Sequence, residues 1–295
     1  MTDTATPSAA GAPVISARGL SKHYGAFAAL DDASFEIPLG RIYGVIGANG
    51  AGKTTLLNAI LGLIPHEGEV SVLGKNPIRS RDALMEDVCF IADVATLPRW
   101  MRVDQLLDYV EGVHPRFSRA VTMTYLQRTK IPLSKRIKAL SKGMITQLHL
   151  AIVMGIDAKL LVLDEPTLGL DIIFRKAFHR DLLEEYFDAQ RTIIVTTHQV
   201  EEIEHILTDV MFIKDGRIVF NSPTEDLPER FLEVAVPADR ADAARKLGPM
   251  TERASLGNCI FTFDGVDRAS LKALGEVKGM NLADIFVAKM SGETA

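Results

Sequence analysis

The chain has 295 residues, 47% of them hydrophobic and 24% charged, with a net charge of -5. That balance suits an ordinary globular protein with room for one large domain and a small one, and it argues against an extended nucleic-acid surface, which carries a basic excess. The only cysteines, Cys89 and Cys259, exclude a disulfide framework and point to a reducing compartment.

Residues 1–13, MTDTATPSAAGAP, lack the basic start and apolar core of a secretory signal and read as a disordered tail. No apolar stretch reaches the roughly 20 residues that a spanning helix needs. From 14 to 40 short apolar and polar runs alternate, predicting two or three strands with Tyr24 in a loop of small residues between them. A flat aromatic there either stacks on a nucleotide base or is an ordinary surface or core tyrosine.

RIYGVIG (41–47) predicts a buried strand, and TTLLNAILGLI (54–64) a helix that stops at Pro65. Between them runs GANGAGKTT, in which Gly47, Gly50, Gly52, Lys53 and Thr54 fill the pattern G-x-x-x-x-G-K-[ST], the Walker A phosphate-binding loop. Glycines let the backbone fold tightly with its N–H groups turned inward on phosphate oxygens. Lys53 can reach the terminal phosphates, the Thr54 hydroxyl can ligate Mg²⁺, and the helix adds its positive end. Ala48, Asn49, Ala51 and Thr55 complete this candidate nucleotide-binding run.

GEVSVLGKN (68–76) predicts a strand and turn, and VCFIADV (88–94) another strand. From about 98 to 155 the pattern is helical: VDQLLDYVEGV, RAVTMTYLQRTKI, and a helix with Ser141 as its N-cap. Ahead of these helices Pro98, Arg99 and Trp100 place an isolated aromatic beside a cation. They lie either on a surface that receives a partner or around a tryptophan filling a local core.

LLVLDE (160–165) predicts a buried parallel strand ending in two carboxylates, and ligands bind at the carboxyl ends of strands in open α/β sheets. Asp164 can hold the metal shell and Glu165 can polarise a water. TIIVTTH (192–198) is a second buried strand, ending in His198 near those carboxylates, which favours a phosphate-facing role. VMFIKDGRIVF (210–220) reads as a hairpin turning at its DG pair and SPTEDLP (222–228) as a linker. Residues 223–295 then read as strand, helix, strand, helix: a small α/β appendage without a catalytic constellation.

Walker A, LSKGM, LLVLDE, TLGLD and TTH occur in that order over residues 14–222, and the order is more specific than any one motif. The chain resembles the ATP-binding-cassette (ABC) ATPase family, in particular the nucleotide-binding subunits of ABC transporters. The resemblance implies a P-loop NTPase core with an antiparallel β subdomain, a helical subdomain inserted at 98–155, and the appendage. It implies that Tyr24 stacks on adenine, that Asp164 is the Walker B aspartate, and that Glu165 is the base for the attacking water. Leu168–Asp171 match the loop that crosses between subunits, and His198 the switch histidine. Ser141, Lys142, Gly143 and Met144 match the signature that serves the ATP of a partner subunit. ATP and Mg²⁺ are the implied cofactors. The implied partners are a second ATPase subunit, either identical, giving a homodimer, or a paralogue, and an integral membrane permease, with no nucleic acid. The implied location is cytoplasmic, on the inner face of the membrane, and the appendage resembles that of export-type, drug-resistance subunits.

Two departures stand out. Lys142 and Met144 replace a glycine and the glutamine of the usual LSGGQ; Lys142 either adds charge near the partner's phosphates or points to solvent. Where the family places a glutamine after the VCFIA strand this chain has Asp93, which as a carboxylate can also bind Mg²⁺. Two other functions compete: a soluble ABC ATPase acting on nucleic acid or the ribosome, and a catalytically weak scaffold that assembles on ATP. The short segment between Walker A and the signature, the single cassette, and the presence of both Glu165 and His198 count against them.

Overall fold

The computed structural model describes residues 12–92, 97–255 and 257–291. The chain separates into two compact units, one reaching to His198 and including Ile213–Val219, the other made of Gln199–Phe212 and the chain from Phe220 onward.

The first unit opens with a hairpin, β1 (Ile15–Tyr24) and β2 (Phe27–Ile37), so the expected loop around Tyr24 is instead a tight turn in which Gly25 takes φ +61°. After β3 (Ile42–Ile46) comes α1 (Lys53–Ile60), and then β4 (Glu67–Val72). β4 pairs antiparallel with β1, giving a three-stranded sheet of order β2-β1-β4. Helix α1 stops short of Pro65. Gly62, at φ +65°, ends it in a left-handed turn, and a Cβ there would lie 2.3 Å from the Pro77 carbonyl oxygen.

Next come α2 (Arg81–Met85) and β5 (Val88–Ile91), which is shorter than the 88–94 strand expected. Asp93 lies outside the described residues. The helical stretch holds α3 (Val103–Val113), α4 (Arg119–Gln127) and α5 (Lys142–Met154). β6 (Leu160–Asp164), α6 (Ile172–Asp181) and β7 (Thr192–Thr197) follow. Strands β5-β6-β7-β3 lie side by side, all parallel. Every residue of β3, β6 and β7 is buried, which accounts for their near-continuous apolar runs. Parallel pairing sets Asp164 opposite Thr196, and the glycine loop and His198 lie just beyond the same strand ends.

The second unit begins with α7 (Val200–Ile203). β8 (Asp209–Lys214) and β9 (Arg217–Pro223) form the expected hairpin, whose turn end, Ile213–Val219, is counted with the first unit, and Asp215 and Gly216 in that turn are both at positive φ. The expected linker is structured: a 3-10 turn over Thr224–Asp226 leads into α8 (Leu227–Arg230), with Pro228 in its first turn, where the missing N–H costs nothing. Then follow β10 (Phe231–Pro237), α9 (Ala241–Arg245), β11 (Thr251–Ser255), β12 (Asn258–Asp264), α10 (Arg268–Lys272), β13 (Glu276–Gly279) and α11 (Leu282–Ser291).

The sheet is antiparallel with order β11-β12-β10-β13, a β-α-β-β-α-β split sandwich in place of the simple strand-helix-strand-helix expected. Leu232, Val234 and Val236 of β10 and Phe261 and Phe263 of β12 share one face and bury it against Ala241, Ala244 and Leu271. The other face carries polar pairs, Glu233–Arg253 at 3.0 Å and Thr251–Thr262 at 2.7 Å. Among the described residues no helix is long and apolar enough to cross a membrane.

Candidate active site

The glycine loop is shaped by contacts that leave no room for side chains. A Cβ on Gly47 would lie 2.6 Å from the Ile213 carbonyl oxygen, and one on Gly52, at φ +110°, 2.6 Å from that of Ala29. Gly50, at φ +83°, faces open space. Helix α1 therefore starts at Lys53 with its first N–H groups turned toward the loop, and Gly52 offers no side chain to cap them. An anion is the natural partner for that end.

Lys53 is buried and points back into the loop. Its Nζ donates to the carbonyls of Gly47 at 2.7 Å and Ala48 at 3.3 Å and lies 3.9 Å from Glu165 Oε1. Burial lowers its pKa below the ordinary lysine value, against the opposing pull of Glu165 and Asp164. The ammonium thus sits between loop carbonyls and two carboxylates. It neutralises the carboxylates and is available to an incoming anion.

Thr54 joins the loop to β6: its hydroxyl donates to Asp164 Oδ2 at 2.8 Å. The other oxygen, Oδ1, accepts from the Thr196 hydroxyl at 2.5 Å. Glu165 follows at φ +48°, an uncommon conformation for a residue with a Cβ, and its N–H points at both the carbonyl and the hydroxyl of Thr196, 3.2 Å from each. Its carboxylate meets His198 Nδ1 at 2.9 Å. It also lines a cavity of about 620 Å³ shared with Lys142, His149 and Leu168. Residues 47–54, 164, 165 and 198 are therefore one constellation. Thr196 belongs to it too, and reading the strand only for its terminal histidine missed it. The signal was the alternation of a strand, which puts Thr196 and His198 on the same side.

Ser141 caps α5, its hydroxyl accepting from Met144 N–H at 3.3 Å. Lys142 is exposed, with its stem lying over Gly169, where a Cβ would sit 3.5 Å from its Cε. Asp171 caps α6 by accepting from the N–H groups of Ile173 and Phe174. Tyr24 is 52% exposed at the tip of the first hairpin, with Lys22 Nζ 5.0 Å from its ring centre and Phe27, also exposed, paired opposite. Trp100 is 70% exposed, so it does not fill a local core.

For a divalent metal the donors on hand are the Thr54 hydroxyl and the Asp164 carboxylate, two hard oxygens held in contact. Among the described residues there is no group of three or more His, Cys, Asp or Glu side chains that could hold a metal alone. One carboxylate and a hydroxyl, completed by phosphates and water, fit Mg²⁺, which is rarely enclosed by a dedicated protein cage.

Comparison with known proteins agrees with this geometry. The profile of the ABC transporter family matches residues 30–168. The Nod factor export ATP-binding protein I of Rhizobium etli is 30% identical over 91% of this chain and 90% of its own length. The chain belongs to the ABC transporter family.

The ABC transporter ATP-binding protein YtrB of Bacillus subtilis is 26% identical over 95% of this ABC subunit and 99% of its own chain. Among solved structures, an ATP-binding subunit of an ABC transporter superposes with a TM-score of 0.65 over 72% of this chain and 91% of its own, at 23% identity. The dimeric post-hydrolysis cassette MJ0796, bound to ADP and Pi, gives 0.63 over 71% and 98%, at 20% identity. These likenesses carry the fold. This chain is an ABC ATPase, the ATP-binding subunit of a transporter.

Proposed function

We propose that this subunit powers export through a separate membrane permease by closing on ATP as a head-to-tail homodimer and opening after hydrolysis. One observation carries the reading: the Thr54–Asp164 hydrogen bond ties the phosphate loop to the strand whose next residue, Glu165, contacts His198. Export is favoured because relatives named for Nod factor export and for bacitracin and lantibiotic transport are 28–32% identical to this chain.

The chemistry assigned to the residues is as follows. The loop N–H groups and Lys53 bind and neutralise the β- and γ-phosphates. Tyr24 stacks on the adenine ring. Thr54 and Asp164 hold Mg²⁺, which when bound neutralises phosphate charge. Glu165 takes a proton from the attacking water, and His198 orients Glu165 and faces the γ-phosphate. Ser141, Lys142, Gly143 and Met144 present the α5 N-terminus to the ATP held by the second subunit, with Asp171 shaping the crossing loop beside it. Phosphoryl transfer to water needs positioning and charge neutralisation rather than a covalent intermediate, and this set supplies both. The subunit would then work on the cytoplasmic face of the membrane, with Pro98, Arg99 and Trp100 toward the permease.

The test is Glu165→Gln with ATP and Mg²⁺. The variant should bind ATP, lose turnover and elute as a dimer, and inverted vesicles carrying wild-type complex should accumulate substrate only with ATP. A variant that stays monomeric at every concentration, with and without the permease, would remove the dimer reading; ATP-driven loss from such vesicles would reverse the direction.

A further inference from the structure

We propose that Thr196 is a positioning residue that sets both acidic side chains of the hydrolytic centre at once. The inference rests on the roles given above to Asp164 and Glu165. Thr196 is fully buried on β7, opposite Asp164 in the parallel pairing. Its single hydroxyl has two jobs. As a donor it holds Asp164 Oδ1, leaving Oδ2 turned to Thr54. As an acceptor it shares with its own carbonyl the N–H of Glu165.

The second job matters because Glu165 sits at φ +48°. A left-handed residue with a Cβ persists only where its surroundings fix it, and here the fixing contact is the Thr196 backbone and hydroxyl together. That conformation turns the Glu165 side chain toward His198 and Lys53 instead of continuing the strand. Two residues along β7 the chain presents His198 on the same side. One edge of one strand therefore orients the metal-side carboxylate, the base and the base's histidine. A hydroxyl is required: valine has nearly the same shape but can neither donate to Oδ1 nor accept from the Glu165 N–H.

Outer partners of metal-holding carboxylates typically affect metal affinity or activity by about 10- to 100-fold, and an effect of that size is expected here. In full-length Thr196→Val, the Mg²⁺ concentration for half-maximal hydrolysis should rise and kcat should fall. Binding of Mn²⁺ in the presence of ATP, followed by electron paramagnetic resonance, should weaken in parallel. Affinity for a fluorescent ATP analogue without metal should stay at the wild-type value, since the phosphate loop is untouched. Thr196→Ser, which keeps the hydroxyl, should restore all three readouts. If the valine variant does not fold, Thr196→Ala takes its place.

Wild-type kcat and metal dependence in the valine or alanine variant would overturn the inference, as would a serine variant as impaired as valine. Asp164→Asn and Glu165→Gln serve as controls. Normal hydrolysis in those two would instead remove the reading of the centre on which the inference stands.

Discussion

His198 Nδ1 lies 2.9 Å from Glu165 Oε1, the same carboxylate oxygen that faces Lys53 Nζ at 3.9 Å. The carboxylate is thus held between a histidine and a lysine that come from different strand ends. A carboxylate so placed is oriented before substrate arrives. Glu165→Gln should cut turnover by about 10²- to 10⁴-fold with ATP binding retained. His198→Ala should also lose turnover, and the double variant should be little worse than Glu165→Gln alone, because the two act as a unit. Additive losses in steady-state hydrolysis would show that His198 acts independently of Glu165.

Lys53 has an opposite mixture of costs. Its ammonium is buried and its pKa is lowered by that burial, yet two loop carbonyls and two carboxylates surround it. In Lys53→Met the phosphates lose a charged donor worth about 1.5–3 kcal/mol, so nucleotide affinity should fall by at least about tenfold. The fold should survive, because methionine fills the lysine stem's volume. Titration with a fluorescent ATP analogue, beside circular dichroism of the apo protein, measures both outcomes; unchanged affinity would contradict the assignment of the loop.

The glycines of the loop separate packing from access. Gly47 is walled by Ile213, with Cβ distances of 2.6 Å to the carbonyl oxygen and 2.8 Å to Cγ2, so Gly47→Ala should overpack the strand end and cost about 1–3 kcal/mol. Gly50 has no neighbour within 4 Å and only a positive φ to satisfy, so Gly50→Ala should cost about 1–2 kcal/mol. Its new methyl group would point into the open side of the loop, where phosphates approach. Gly50→Ala should therefore lose nucleotide while keeping most of its thermal stability, and denaturation curves with and without ATP would reveal the difference.

The residues legible in the sequence were those whose chemistry leaves a spacing: the glycine loop, the carboxylate pair after a buried strand, and the histidine ending another. Strand existence was also legible in β3, β6 and β7, because burial on both faces enforces continuous apolar runs. The two edge strands of the second unit's sheet, β11 and β13, were not. β11, TERAS, has no apolar face to announce it and is held by backbone pairing with β12 and by polar side-chain pairs such as Arg253–Glu233. β13 was hidden because Glu276–Gly279 continues the helical-looking text of α10. The end of α1 was misplaced because Gly62, closely packed on Pro77, stops the helix before Pro65 can. Thr196 was overlooked because a threonine in a strand ordinarily reflects β propensity, and only pairing with Asp164 reveals its second use.

Trp100 is 70% exposed, between the exposed Arg99 and the half-buried Met101. A large aromatic left in water loses little stability when truncated, so Trp100→Ala should change the melting temperature of the isolated subunit by no more than a few degrees, corresponding to about 0.5 kcal/mol. Its ATPase activity should be unaltered. Co-purification with the permease should be lost, since exposed tryptophans buried on assembly are among the strongest contributors to an interface. Intact assembly would remove this surface from the docking site.

His149, on α5, is held neutral by its surroundings. Burial pushes its imidazole down from 6.5 to about 4, and among the described residues its Nδ1 has no hydrogen-bond partner. In the unfolded chain the same group takes a proton near 6.5, so below that pH the unfolded state binds more protons and folding stability falls. The loss begins near pH 6.5 and is complete below about pH 4, where both states are protonated; it reaches about 2 kcal/mol at pH 5 and about 3 kcal/mol at the end. His149→Leu keeps an apolar side chain in the site and removes the titration. Guanidinium unfolding at pH 7 and pH 5 should show the wild type losing about 2 kcal/mol more than the variant over that interval. Equal losses in the two proteins would mean that His149 is not the group through which acid destabilises this unit.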